Sequence, residues 1–211
     1  ALLLSVAPAD GCGSVEDLRE VTNLLAGAGP NARRRGPPVV GSDLVVDPLQ
    51  LARLAEAGAD AAVVDAGLAG QELEALLNVC TALGIEALVK VHDLGELEWA
   101  IECGATAVIV SRRTPWDGAV DTSRGIALAS AIPGHVLSLV QGGFLAPTRE
   151  EIEDHLDAGF DGIVLDHPGD PTDARGGLAA LELVRECARA QGAASWGSVR
   201  PVAPDAGGPT L

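Results

Sequence analysis

Positive charge is scarce in this sequence. Thirty acidic residues stand against 14 lysines and arginines, giving a formal net charge of -16 and a pI near 4.4. A nucleic-acid or anionic-membrane surface needs clustered cations, so neither is expected as a partner. The single basic run, Arg33, Arg34 and Arg35, has no interleaved aromatic residue and reads as a solvated loop ahead of a strand. Long apolar runs are also lacking. The opening "ALLLSVAPAD" has no basic n-region and is too short to cross a bilayer, which argues against a signal peptide or membrane helix and predicts a cytoplasmic chain. Cys12, Cys80, Cys103 and Cys187 lack metal-ligand or redox spacing, so reduced thiols, no metal centre and no cofactor are expected. His135 and His155 fall in a loop and on a polar helix face, with no metal-ligand partner nearby in sequence. Among the charged residues lysine is the scarcest. Lys90 is the only one in the chain, and it lies inside the apolar run "EALVKVH".

What is present is a regular alternation. Short β-rich apolar runs at 2–8, 37–42, 60–66, 86–92, 106–111, 135–141 and 161–167 alternate with longer stretches of helical period, closing on a helix over 176–192. Continuous apolar runs are strands buried on both faces, and helical crossovers between them imply a parallel sheet. The phrase "EAGADAAVV" returns as "ECGATAVIV" and "DAGFDGIVL". A repeat of helix end, glycine, short loop and strand favours a barrel over an open sheet. The expected fold is therefore α/β, a (β/α)8-type TIM barrel over residues 1–193, with a Gly/Pro/Ala-rich extension over 194–211. Only seven strands are counted, so the barrel is expected to be incomplete, with its first βα unit missing or its gap closed by "SWGSVRPV" from the tail. Open edges at the first and last strands would call for a homo-oligomer or a partner chain to cover them.

"PPVVGSDLVVDPLQLARLAEAGADAAVV" and "LGIEALVKVHDLGELEWAIECGATAVIV", with "GCGSVEDLREV" before them and "APTREEIEDHLDAGFDGIVL" after, resemble the indole-3-glycerol-phosphate synthase family. That family consists of barrel lyases that close a carboxyphenylamino-deoxyribulose phosphate to indole-3-glycerol phosphate. The resemblance covers roughly residues 3–192, beginning at the family's second strand, so the glutamate and lysine carried by its first strand and helix have no counterpart. The other functional positions depart from the family pattern. Ser42 stands where the third strand should end in a general-acid lysine, and Lys90 where the fifth strand carries a glutamate. Ser111 replaces an asparagine, while Arg113 two residues on is retained. Gln141 and Gly142 replace a glutamate and a serine, and Gly143 keeps the pattern. Asp166, His167 and Pro168 replace the glycine, glutamate and serine of the eighth strand, where a carboxylate would repel a substrate phosphate. The resemblance thus implies the fold and implies that the inherited chemistry is gone.

Strand alternation puts Leu88, Lys90 and His92 on one side, and the resemblance turns that side toward the barrel mouth. A buried ammonium either loses its proton or finds a carboxylate. One reading is an ion pair with Asp65 or Asp43 that fills space. The other is a base, or an amine that forms an imine with a carbonyl substrate. Lys90, Asp65, Asp166 and His167 are accordingly the expected catalytic residues, although "DHP" also reads as a plain turn. The expected substrate-binding residues are Ser42, Asp43, His92, Ser111, Arg113, Gln141, Gly142 and Gly143. His92 matches a histidine that is mostly structural in the family, and Arg113 is preferred to Arg112 as a holder of anions. Three functions follow: a divergent barrel with another lyase or acid–base reaction on a small molecule, a non-catalytic binding or scaffold barrel, and a working synthase with a rebuilt site.

Overall fold

The computed structural model describes residues 1–6, 13–26, 36–115, 117–144, 147–166 and 174–190. Seven strands, β1 (Leu2–Ser5), β2 (Val39–Ser42), β3 (Ala61–Asp65), β4 (Glu86–Val91), β5 (Ala107–Ser111), β6 (Leu137–Gln141) and β7 (Gly162–Val164), pair in parallel and in sequence order. They form a curled half-barrel whose edges, among the described residues, are β1 and β7, an incomplete (β/α)8 barrel. All seven fall within the apolar runs read from the sequence. The Arg33 to Arg35 run, Cys12, His167, Pro168 and the tail lie outside the described residues.

The helices follow the strands. They are α1 (Val15–Ala26), α2 (Pro48–Glu56), α3 (Ala66–Ala69), α4 (Leu73–Leu83), α5 (Leu94–Glu102), α6 (Thr122–Ala129), α7 (Arg149–Asp157) and α8 (Ala174–Ala190). Local chemistry sets their ends. Asp47 caps α2 in a capping box with Gln50, Pro48 opens the helix, and Asp93, Asp121 and Thr148 cap α5, α6 and α7. The sequence repeat has a backbone cause. Its glycines, Gly58, Gly104 and Gly159, take φ values of +89°, +87° and +108°, which let the chain leave each helix and enter the next strand. In two of the three repeats the following aspartate ties in the preceding strand: Asp60 Oδ2 accepts the Val39 N–H at 2.6 Å, and Asp161 Oδ2 accepts the Ser138 N–H at 2.8 Å.

Alternation along the strands divides the core in two. Ala62, Val64, Val89, Val91, Val108, Val110 and Val140 pack outward against the helix layer, including Leu51, Leu54, Leu73, Leu76 and Leu97. Val40, Ala61, Val63, Leu88, Ala107 and Ile109 form the inner cluster. On the same inner face, at the C-terminal strand ends, the residues turn polar: Ser42, Asp65, Lys90, Ser111 and Gln141. That change of character marks the rim.

One expectation is corrected here. His155 is not on a polar surface but 2% exposed, because α7 turns its Ile152 and His155 side inward. Its ring meets Phe144 edge-on at 5.3 Å, Nδ1 donates to the Glu151 carbonyl at 2.7 Å, and Nε2 has no partner among the described residues. Burial pushes this imidazole below its ordinary pKa. The thiols behave as small apolar side chains where described. Cys80 and Cys187 are buried, and burial pushes the Cys80 thiol up to about 11.

Candidate active site at the barrel rim

The pairing of β3 with β4 sets Asp65 directly beside Lys90. Lys90 Nζ stands 3.9 Å from Asp65 Oδ2, with the lysine side chain 30% exposed, so the amine is accessible to a small molecule. Of the two carboxylates offered as its partner, Asp65 is the one it finds. Asp43 instead accepts the Leu44 N–H at 2.8 Å and the Gln50 side-chain amide at 3.1 Å in the loop after β2.

His92 closes the group from the end of β4. Its Nε2 lies 3.7 Å from the same Asp65 Oδ2. Glu96 Oε2 accepts both the His92 backbone N–H at 2.7 Å and ring Nδ1 at 3.0 Å. A carboxylate can only accept, so this contact puts a proton on Nδ1 and leaves Nε2 turned to Asp65. The Asp93 cap holds Glu96 in place by accepting its N–H at 2.9 Å. Asp65 is fixed in turn by its Oδ1, which accepts the Leu68 N–H at 3.2 Å at the start of α3. Asp65 Oδ2 therefore faces an amine and an imidazole, neither closed to hydrogen-bond distance. This is an arrangement through which a proton can be relayed. His92 and Glu96 also line a cavity of about 280 Å³ between α5 and α6, with Leu94, Pro115, Arg124 and Leu128.

Other predicted residues gather at the ends of β5, β6 and β7. β5 pairs Ser111 with Gln141 of β6, and the turn after β6 carries Gly142 and Gly143. Arg113 Nη2 reaches Asp166 Oδ2 at 3.2 Å, and the same oxygen accepts the Gly143 N–H at 2.7 Å. Ser42, at the end of β2, is half-buried, and no polar contact joins it to Lys90. Lys90, Asp65 and His92 thus form one group and Arg113, Gly143 and Asp166 a second, while Ser42 and Asp43 at the end of β2 belong to neither.

The family model for indole-3-glycerol phosphate synthase matches residues 8–166, three quarters of the chain. The chain belongs to the indole-3-glycerol phosphate synthase family. Indole-3-glycerol phosphate synthase of Chlorobaculum tepidum is 36% identical over 129 residues, 61% of this chain and 50% of that protein. Indole-3-glycerol phosphate synthase 2 of Streptomyces coelicolor is 36% identical over 137 residues, 64% of this chain and 53% of its own length. The chain spans about half the length of the curated relatives it matches. Among solved structures, 3-hexulose-6-phosphate synthase from Salmonella typhimurium has a TM-score of 0.66 at 14% identity, covering 89% of this chain and 86% of that one. The N-acetylmannosamine-6-phosphate 2-epimerase from Clostridium perfringens has a TM-score of 0.58 at 16% identity, covering 85% and 92%. At these identities the likeness shows the barrel-type fold alone.

Within this indole-3-glycerol phosphate synthase family member, two residues matter that the motifs do not single out. Glu96 orients His92, and its only sequence signal is the spacing "HDLGE" across a helix cap. Arg112 is 1% exposed and faces the helix layer, where Nη1 meets Glu151 Oε1 at 2.9 Å and the guanidinium lies 4.1 Å over the Phe144 ring. Alternation along β5 is the signal here, since Ser111 and Arg113 face the mouth and Arg112 must face away. No described helix is long and apolar enough to cross a membrane.

Proposed function

We propose that this chain is a divergent member of the indole-3-glycerol phosphate synthase family that does not close the indole ring and instead runs an acid–base reaction on a small carbonyl compound, centred on Lys90. The observation that supports the reading is the convergence of Lys90, Asp65 and His92 on one carboxylate oxygen at 3.7–3.9 Å, with the lysine open to solvent at the rim. The chemistry is that of an amine beside a proton acceptor. Lys90 passes a proton to Asp65 and adds to the carbonyl carbon. The added nitrogen passes a proton to the carbonyl oxygen, Asp65 returns the proton it took to the same oxygen, and water leaves, giving a protonated imine and restoring the Asp65 carboxylate. The neighbouring carboxylate then removes the proton alpha to it.

A second reading has its own support. Both charged groups at the mouth, Lys90 with Asp65 and Arg113 with Asp166, are already paired within the chain, as a non-catalytic binding barrel would have them. Proton exchange separates the two. In heavy water the native chain is expected to exchange the alpha protons of dihydroxyacetone at least ~100-fold faster than Lys90→Met, the lower end of what a positioned acid–base group contributes. Equal rates for the two proteins, read by proton NMR, would leave only the binding reading.

A further inference from the structure

The turn after β6 and the loop after β5 build a small cradle at the rim. Gly142 and Gly143 take φ values of +113° and +82°, a conformation L side chains rarely adopt. Space is tight there as well. A Cβ on Gly143 would lie 2.9 Å from Val120 Cγ1, and one on Gly142 would lie 3.2 Å from Arg113 Cγ. This close packing comes from an antiparallel bridge between Arg113 and Val120 that folds the β5 loop onto the turn. Arg113 is held at both ends. Its N–H donates to Ser111 Oγ at 3.2 Å, and its Nη1 donates to the Gly118 carbonyl at 3.1 Å.

The cradle presents one backbone N–H, from Gly143, and one guanidinium N–H, from Arg113 Nη2. A backbone donor and a planar cation converging on one point form an oxyanion site. The oxyanion found there belongs to the chain itself. Asp166 Oδ2 accepts from Gly143 at 2.7 Å and from Arg113 at 3.2 Å. The backbone N–H of Asp166 donates to the Phe144 carbonyl at 3.2 Å, which anchors the loop after β7 to the same turn. The Asp166 side chain is only 18% exposed.

We propose that Asp166 is the built-in occupant of this oxyanion site and a specificity-determining residue of the rim. It takes the two donors that a phosphate or carboxylate group of a ligand would need, and its own charge repels a second anion. The mouth is thereby closed at this point to anionic ligands and left to uncharged ones. This inference stands whether or not Lys90 is catalytic, because it concerns a different group of residues.

The test is titration with inorganic phosphate, followed by calorimetry and by the amide shift of Gly143 in nitrogen-15 NMR. The wild-type chain is expected to show no saturable response. Asp166→Ala removes the occupant and keeps both donors, so it is expected to bind phosphate at least ~10-fold more tightly than wild type, with the Gly143 amide moving on saturation. Adding Arg113→Met is expected to abolish that gain. Asp166→Ser, which keeps a short polar side chain on the loop, serves in place of the alanine variant if the latter does not fold. Phosphate shifting the Gly143 amide of the wild-type chain to saturation would overturn the proposal. So would a folded Asp166 variant that binds phosphate no better than wild type.

Discussion

Given the carboxyphenylamino-deoxyribulose phosphate that the family closes, this chain is expected to turn over more slowly than ~10⁻³ per second, against ~10 per second for a typical enzyme. The motivation is the set of side chains on the inner face of the strand ends. Ser42, Lys90, Ser111 and Gln141 stand where the family resemblance puts a general-acid lysine, a glutamate, an asparagine and a second glutamate, and none of the replacements supplies the same proton chemistry. Loss of one positioned donor lowers a rate by roughly 10²–10³, and loss of one general acid or base by roughly 10²–10⁴. Two such losses bring a typical rate of ~10 per second down to ~10⁻³ per second or below. The cradle around Asp166 adds a barrier to binding, since its donors are already occupied. The fluorescence of the indole product gives the rate directly. Turnover above the limit would mean that the site has been rebuilt rather than lost.

The largest stability effect is expected at Glu151, a residue remote from the mouth. Removing one partner of a buried ion pair leaves the other charge uncompensated, which costs roughly 3–5 kcal/mol. Glu151 is the half with access to water, at 28% side-chain exposure, while Arg112 has 1%. Glu151→Ala therefore leaves the guanidinium stranded between β5 and the helices, where Nε already has no partner among the described residues. A loss of about 3 kcal/mol is expected, the lower end because the shortened side chain lets some water in. Arg112→Met reverses the asymmetry. It removes the buried charge, keeps an unbranched apolar stem over Phe144, and leaves Glu151 able to turn to solvent, so a loss of only about 1–2 kcal/mol is expected. Urea denaturation of the two variants measures both values. A methionine variant less stable than the alanine variant would show that the ion pair itself, rather than the isolated charge, governs stability here.

The strands were legible because a parallel strand covered on both faces is a continuous apolar run, and seven such runs became β1 to β7. The glycine repeat was legible because each helix must be left through a positive φ, as Gly58, Gly104 and Gly159 do. The pairing of Lys90 with Asp65 was one of two alternatives. Sequence could not separate Asp65 from Asp43, because the choice rests on the register of β3 against β4 and on the hydrogen bonds from Gln50 and Leu44 that engage Asp43. Glu96 was not legible, since its role depends on the Asp93 cap folding the first turn of α5 back onto His92. His155 misled because α7 is strongly polar in composition. The few residues that face inward there outweigh the many that do not, and only packing against Phe144 reveals which they are.

The reactivity of the single lysine is the most direct measure of the account. The native chain is incubated with dihydroxyacetone and treated with borohydride, which reduces any imine to a stable secondary amine, and the adduct is located by peptide mass mapping. The same lysine in the urea-unfolded chain is the reference for an amine outside the folded environment. The account predicts faster labelling of Lys90 in the native chain, and loss of that advantage in Asp65→Asn, where the proton acceptor is gone. Native labelling that is slower than in the unfolded chain, or absent, would make Lys90 an ion-pair filler and contradict the proposed chemistry.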